Sequence, residues 1–184
     1  MMLKVSKTSI SDVILIEPKV YKDDRGFFFE SFNEQAFHAA INRKVSFVQD
    51  NHSQSVQDVL RGLHYQIKQP QAKLVRVISG RIYDVAVDLR QSSSTFKKYF
   101  GVELSATNSR QLWIPEGCAH GFIAMSPQVE VLYKTTDYYA PEHERCLLWN
   151  DEAIGIDWPL DISTPILSEK DQQGSIFSDI ELFI

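Results

Sequence analysis

Short runs of β-branched and aromatic residues recur along this 184-residue chain, each soon closed by Gly, Pro, Asn or Asp. They cover residues 12–20, 27–32, 45–48, 73–78, 81–90, 99–105, 110–114 and 128–136. Strand side chains alternate between faces with period two, and many such runs with little helical periodicity predict an antiparallel sandwich or barrel. Among these we expect an all-β jelly roll with one or two short helices. The spacing of Ser31-Phe32-Asn33-Glu34 matches a capping box, and Ala36, Phe37, Ala40 and Ile41 then form a helical stripe, predicting a helix over 33–42. Ser168-Glu169-Lys170-Asp171 repeats the spacing and predicts one helical turn near the end.

Individual segments carry more detail. Pro18 marks 12–20 as an edge strand, and Asp23-Asp24-Arg25-Gly26 is a turn. The consecutive Phe27, Phe28 and Phe29 need cover on both faces, from a second layer or a subunit contact. A polar stretch, 49–54, follows 45–48. Residues 73–78 and 81–90, joined by Ser79-Gly80, read as a hairpin whose second strand puts Tyr83, Val85, Val87 and Leu89 on one face. Residues 115–122 read as a turn, and Val129, Val131, Tyr133 and Thr135 share a strand face. From Asp137 onward loop and short strand continue the same unit, so one domain over 1–184 is expected.

An apolar content of 43% with 23% charged residues describes an ordinary globular protein. No apolar run approaches the roughly 18 residues of a spanning helix, and Met1 to Lys7 lack a secretory core, so we expect a cytosolic protein without a membrane partner. Cys118 and Cys146 are too few for a disulfide framework and too far apart for a paired-ligand motif, and read as reduced thiols. A net charge of -5 argues against nucleic-acid binding. A local cluster of Arg and Lys still suits an anionic small molecule.

Chemistry-bearing residues concentrate around Val59 to Ile67, read Val-Leu-Arg-Gly-Leu-His-Tyr-Gln-Ile. An ideal strand would set Leu60, Gly62, His64 and Gln66 against Arg61, Leu63 and Tyr65. A lone glycine inside a strand marks a bulge or close backbone approach, and a bulge here would turn Arg61 and His64 toward the same space. The competing reading is a polar strand face with an incidental histidine.

His64 and His120 belong to different β-elements that a barrel can bring together. A closed metal site needs three or four ligands, and neither histidine has a partner histidine at i+2 or i+4, which disfavours metal. Proton transfer next to a carbonyl fits better, because the ordinary pKa of histidine lies near neutral pH and a carboxylate can orient its other nitrogen. Asp171, Asp84 and Asp50 are candidates for that carboxylate, although Asp171 also suits a helix cap. Tyr133 reads as a core aromatic or as a general acid opposite the base. Lys73 reads as a solvated strand residue or as a stabiliser of an enolate or phosphate. Arg25 and Arg61 read as turn and rim charges or as bidentate ligands of a diphosphate.

Five blocks taken in order bear on these alternatives. They are Asp24-Arg25-Gly26-Phe27-Phe28-Phe29-Glu30, Gln49-Asp50-Asn51-His52-Ser53, Leu60-Arg61-Gly62-Leu63-His64-Tyr65-Gln66, Trp113-Ile114-Pro115-Glu116-Gly117-Cys118-Ala119-His120-Gly121-Phe122 and Trp149-Asn150-Asp151. Together the sequence resembles the dTDP-4-dehydrorhamnose 3,5-epimerase family from about residue 10 to 171. The resemblance implies a cupin-type jelly roll, a homodimer, no cofactor and no metal. It implies inversion of C3 and C5 of dTDP-4-dehydro-6-deoxy-D-glucose. By position, His64 is the implied base, Asp171 its orienting carboxylate, Tyr133 the proton donor and Lys73 the residue beside the C4 oxygen. By the same resemblance His120 would line the sugar site, and Arg25, Glu30, Gln49, Asn51, Arg61, Glu144 and Lys170 fall where the family contacts the nucleotide and sugar. Inversion at one carbon, a ketone shift, or noncatalytic binding of the sugar nucleotide are the alternatives.

Overall fold

The structure is a computed structural model that describes residues 3–159 and 165–184; residues 1–2 and 160–164 of the expected 1–184 unit lie outside it. Its strands are β1 Lys4–Lys7, β2 Ile14–Glu17, β3 Tyr21–Asp23, β4 Gly26–Phe28, β5 Gln49–Val56, β6 Leu60–Gln66 and β7 Lys73–Ser79. They continue with β8 Arg81–Asp88, β9 Tyr99–Ser105, β10 Gln111–Ile114, β11 Cys118–Ala124, β12 Gln128–Thr135 and β13 Glu144–Cys146. The helices are α1, Glu34–Ile41, and α2, Glu169–Gln172.

Two antiparallel sheets face each other as a jelly roll, one ordered β1-β2-β10-β7-β12-β5 and the other β13-β6-β11-β8-β9. Strands β3 and β4 pair as a separate ribbon. Val75, Val77, Val129 and Val131 from the first sheet meet Ile82, Ala86, Leu104 and Phe122 from the second. At about 1.5–3 kcal/mol for each fully buried aliphatic or aromatic side chain, this shared core holds the sheets together. Both outer faces are also covered. Phe37 of α1 packs with Ile16, Leu74 and Trp113. Ile154, Trp158 and Phe177 pack on Leu60, Leu63, Val85 and Val87. Strand β8 is largely buried on both faces because each face has its own cover. The expected grouping of Tyr83, Val85, Val87 and Leu89 holds, on the outer face.

Several local expectations are corrected by tertiary context. Residues 73–90 form no hairpin: β7 pairs with β10 and β12, whereas β8 pairs with β11 and β9. The turn at Gly80, with φ of +73°, instead carries the chain from one sheet to the other. A Cβ at Gly80 would come within 2.4 Å of the Gln128 carbonyl oxygen. Strand β2 is flanked by β1 and β10 and is no edge; Pro18 lies just past its end. The aromatic run pairs only as far as Phe28. The strand expected at 45–48 lies in the polar segment, at β5, whose inward side chains face a polar interior. Helix α1 is capped by Asn33, whose Oδ1 accepts from the Ala36 amide at 3.0 Å, and not by Ser31. The turn expected at 115–122 gives way at Cys118 to the wholly buried β11.

The bulge in the Val59 to Ile67 stretch is present. His64 pairs with His120 and Arg61 with Phe122, so Gly62 and Leu63 together oppose Gly121. Gly62 sits at φ of +119°, and a Cβ there would stand 2.6 Å from the Gly121 Cα. The extra residue shifts the alternation: Leu60, Leu63 and Tyr65 go to the outer core, while Arg61 and His64 line one cavity.

Candidate active site

The two sheets enclose apolar residues over most of their length and polar ones at one end. On the inner face of the first sheet, Thr135 opposes Gln49 and Lys73, and Tyr133 opposes Asn51. On the second, His64 is flanked by His120 on β11 and Cys146 on β13, and Gln66 opposes Glu144. The polarity of β5, which hides it as a strand in the sequence, is the lining of this end. One cavity of about 340 Å³ is walled by Gln49, Asn51, His64, Lys73, Tyr133, Tyr139 and Glu144. Another of about 230 Å³ is walled by Ser53, Arg61, His64, Lys73, His120, Tyr133 and Asp171. His64, Lys73 and Tyr133 belong to both walls.

Of the three carboxylates weighed for His64, the structure selects Asp171. His64 Nε2 donates to Asp171 Oδ1 at 2.6 Å. Ser168 Oγ donates to Oδ2 at 2.7 Å and accepts from the Asp171 amide at 3.2 Å. Asp171 therefore completes the expected cap and holds the histidine at the same time. Burial alone would raise its carboxyl, but the hydrogen bonds from His64 and Ser168 hold it below the usual range. Asp84 bonds the other histidine, accepting from His120 Nε2 at 2.7 Å with Asp84 fully buried. Burial lowers the proton affinity of His120, partly offset by Asp84. Asp50 is occupied elsewhere, by Lys134 at 2.9 Å.

Lys73 is buried, and its Nζ has the His64 carbonyl oxygen at 3.5 Å. Desolvation lowers its pKa from 10.5 to about 8, opposed by the charges of Glu144 and Asp84. Burial also raises the Tyr133 hydroxyl above its ordinary value, with Arg61 acting against it, so the group keeps its proton at neutral pH. Glu144 forms an ion pair with Lys170 and accepts from the Tyr139 hydroxyl at 2.7 Å. These contacts overcome the effect of burial and hold its carboxyl low. Arg61 Nε donates to Ser55 Oγ and Nη2 to the Gln54 carbonyl, each at 3.0 Å, which aims the guanidinium along the cavity rim.

Two sequence candidates stand apart. Arg25 is exposed in the β3–β4 turn, bound to Asp23 at 2.5 Å, and Glu30 lines a small separate cleft with Leu3 and Phe37. Conversely, sequence reasoning passed over Tyr139 and Gln66 as cavity residues and did not place the Cys146 thiol beside His64. Gln66 shares the strand parity of His64 and could have been found; Tyr139 and Cys146 arrive from segments with no periodic signal. Both cysteines are free thiols, as expected. Among the described residues no helix is long and apolar enough to cross a membrane.

The chain's similarities point the same way. A family model described as dTDP-4-dehydrorhamnose 3,5-epimerase matches residues 7–179. The dTDP-4-dehydrorhamnose 3,5-epimerase of Pseudomonas aeruginosa is 59% identical over 181 residues, covering 98% of this chain and 99% of that protein. A crystal structure of the 3,5-epimerase from Legionella pneumophila in complex with dTDP-4-keto-L-rhamnose superposes with a TM-score of 0.94. It is 46% identical and covers 98% of this chain and 95% of that one. A 3'-monoepimerase from Streptomyces bikiniensis, in complex with dTDP-quinovose, has a TM-score of 0.87 at 30% identity, covering 93% of this chain and 86% of that one. With the family model spanning most of its length and a full-length relative at this identity, the chain belongs to the dTDP-4-dehydrorhamnose 3,5-epimerase family.

Proposed function

We propose that this chain inverts C3 and C5 of dTDP-4-dehydro-6-deoxy-D-glucose, giving dTDP-4-dehydro-L-rhamnose through an enolate. The observation that carries the reading is that His64 and Tyr133 line the same cavities from opposite sheets, with Lys73 in both walls. Hydrogens at C3 and C5 are both next to the C4 ketone, so either can be removed if the enolate oxygen is stabilised. His64 gives its Nε2 proton to the bond with Asp171, which leaves Nδ1 with the lone pair and makes it the base. Lys73, charged at neutral pH, stabilises the oxygen at C4. Tyr133, which keeps its proton, returns one to the opposite ring face.

Around this centre, His120 lines the sugar site and Arg61, Gln49, Asn51, Glu144 and Lys170 hold sugar and diphosphate, with no cofactor in the reaction. The bidentate geometry of Arg61 suits a phosphate. Arg25 and Glu30 line neither cavity, so their part in binding requires a second copy to bring them to a site. The exposed aromatics beside Arg25, Phe27 and Phe28 at 67% each, support such a homodimer, and the assembly acts in the cytosol. A mass measurement in solution tests this: a monomer at micromolar concentration overturns it.

The decisive experiment is turnover of dTDP-4-dehydro-6-deoxy-D-glucose in heavy water, followed by proton NMR. Deuterium at both C3 and C5 with formation of the L-sugar is expected. Exchange at one carbon alone would make the chain a mono-epimerase or ketoisomerase, and no exchange would leave a binding protein. His64→Ala and Tyr133→Phe should each slow turnover by about 10²–10⁴-fold; near-normal rates in both would refute these roles.

A further inference from the structure

Cys146 takes no part in the proposed reaction, yet it sits beside its centre. It is the cross-strand partner of His64, so both side chains leave the same face of neighbouring strands. The imidazole of His64, the Cys146 sulfur and a carboxylate oxygen of Asp171 all lie within 4.8 Å of one another. Three structural elements thus converge one nitrogen, one sulfur and one oxygen, the donor set that zinc prefers. A tetrahedral ion with bonds of about 2.0–2.3 Å separates its ligand atoms by roughly 3.3–3.8 Å. The sulfur lies within 4.8 Å of both other atoms and must close on the ion, the 2.6 Å between His64 and Asp171 must widen, and the ion replaces the proton between them. Because His64 and Asp171 both line the 230 Å³ cavity, a fourth coordination position would open toward it. Three protein ligands with one open position describe a site that exchanges its metal with solvent and accepts water or substrate.

We propose that His64, Cys146 and Asp171 form an inhibitory site for a thiophilic divalent cation of the zinc type. Binding releases the thiol proton to solvent, moves the single imidazole proton from Nε2 to Nδ1, and so occupies the carboxylate and removes the lone pair of the base. Given the acid/base reading above, turnover then stops reversibly; metal is an inhibitor of this chain and not its cofactor.

The test uses the full chain and two independent readouts. Cobalt(II) titrated into the unaltered protein should give a near-ultraviolet thiolate-to-cobalt absorption at one equivalent, displaced by zinc. Turnover should fall with micromolar zinc and return with EDTA. Cys146→Ser should keep basal turnover, lose the absorption, and need about tenfold or more zinc for the same inhibition. Absence of the absorption at saturating cobalt in the unaltered protein overturns the site whatever the substrate proves to be. Equal zinc sensitivity in Cys146→Ser also overturns it. A band that forms without any effect on turnover would uphold the metal site and count against the catalytic role of His64.

Discussion

Replacing Lys73 by methionine should make the protein more stable while removing most of its activity. The lysine is buried, and among the described residues its Nζ bonds the His64 carbonyl oxygen alone, at 3.5 Å. Its proton affinity falls from 10.5 to about 8 because desolvation outweighs the attraction of Glu144 and Asp84. At about 1.4 kcal/mol per tenfold change in affinity, keeping the charge at pH 7 costs the fold roughly 3 kcal/mol. Methionine has a similar unbranched shape and no charge but forfeits the contact of Nζ with the His64 carbonyl, so a net gain of about 2 kcal/mol is expected. For a chain of this length that is about 4–8 °C in Tm. The dependence on pH isolates the cause. Below pH 8 Lys73 is protonated in both states and the whole cost is present. Between 8 and 10.5 the unfolded chain binds the extra proton, so the unaltered protein gains stability as pH rises. Lys73→Met has no such group, and its advantage should shrink across that window. Thermal melts of both proteins at pH 7, 8.5 and 10, with turnover measured alongside, make the comparison. Turnover should fall by about 10²–10³-fold, the scale of losing one oxyanion donor. A variant that melts at or below the unaltered protein at pH 7, or an advantage independent of pH, would refute the reasoning.

Three further substitutions separate the roles around this lysine. Asp171→Asn leaves His64 without the carboxylate that sets its tautomer, and kcat should drop by about 10²–10⁴-fold. Because the Asp171 carboxyl is held below its ordinary 3.8, its stabilisation is present above that value and is lost as pH falls below it through the lower folded value, so acid melts of Asp171→Asn should lack this component. Arg61→Ala should raise KM by about tenfold with kcat little changed; the opposite pattern would move Arg61 into the chemical step. Asp84→Asn removes one of the two carboxylates that favour the charge on Lys73. The alkaline limb of its pH–rate profile should therefore move to lower pH, and a uniform loss with an unmoved limb would mean that Asp84 only supports His120.

Much of the site was legible in the sequence because the decisive signals were local. Gly62 inside a strand pattern offered a bulge beside the plain-strand reading, and the bulge that forms brings Arg61 and His64 into one cavity. Ser168 and Asp171 foretold a cap, but the cap geometry alone left open whether Asp171 does more. The fold decides it, by packing α2 beside β6 so that one oxygen serves His64 and the other Ser168. Errors arose where a local pattern met a nonlocal partner. The Ser79-Gly80 turn is compatible with a hairpin, yet each flanking strand finds better-covered neighbours in a different sheet. The 45–48 segment has strand-like residues, but Phe47 joins the apolar cluster around α1 and the pairing starts at Gln49.

The sequence by itself determined the β-rich class and the two helices, since propensity and capping are properties of neighbouring residues, and its ordered motif blocks pointed to the family. Which strands pair, which carboxylate holds which histidine, and the placement of Cys146 beside His64 were decided by tertiary structure alone. Residues as far apart as His64 and Asp171 meet there, and no periodicity within one segment can specify the partner in another.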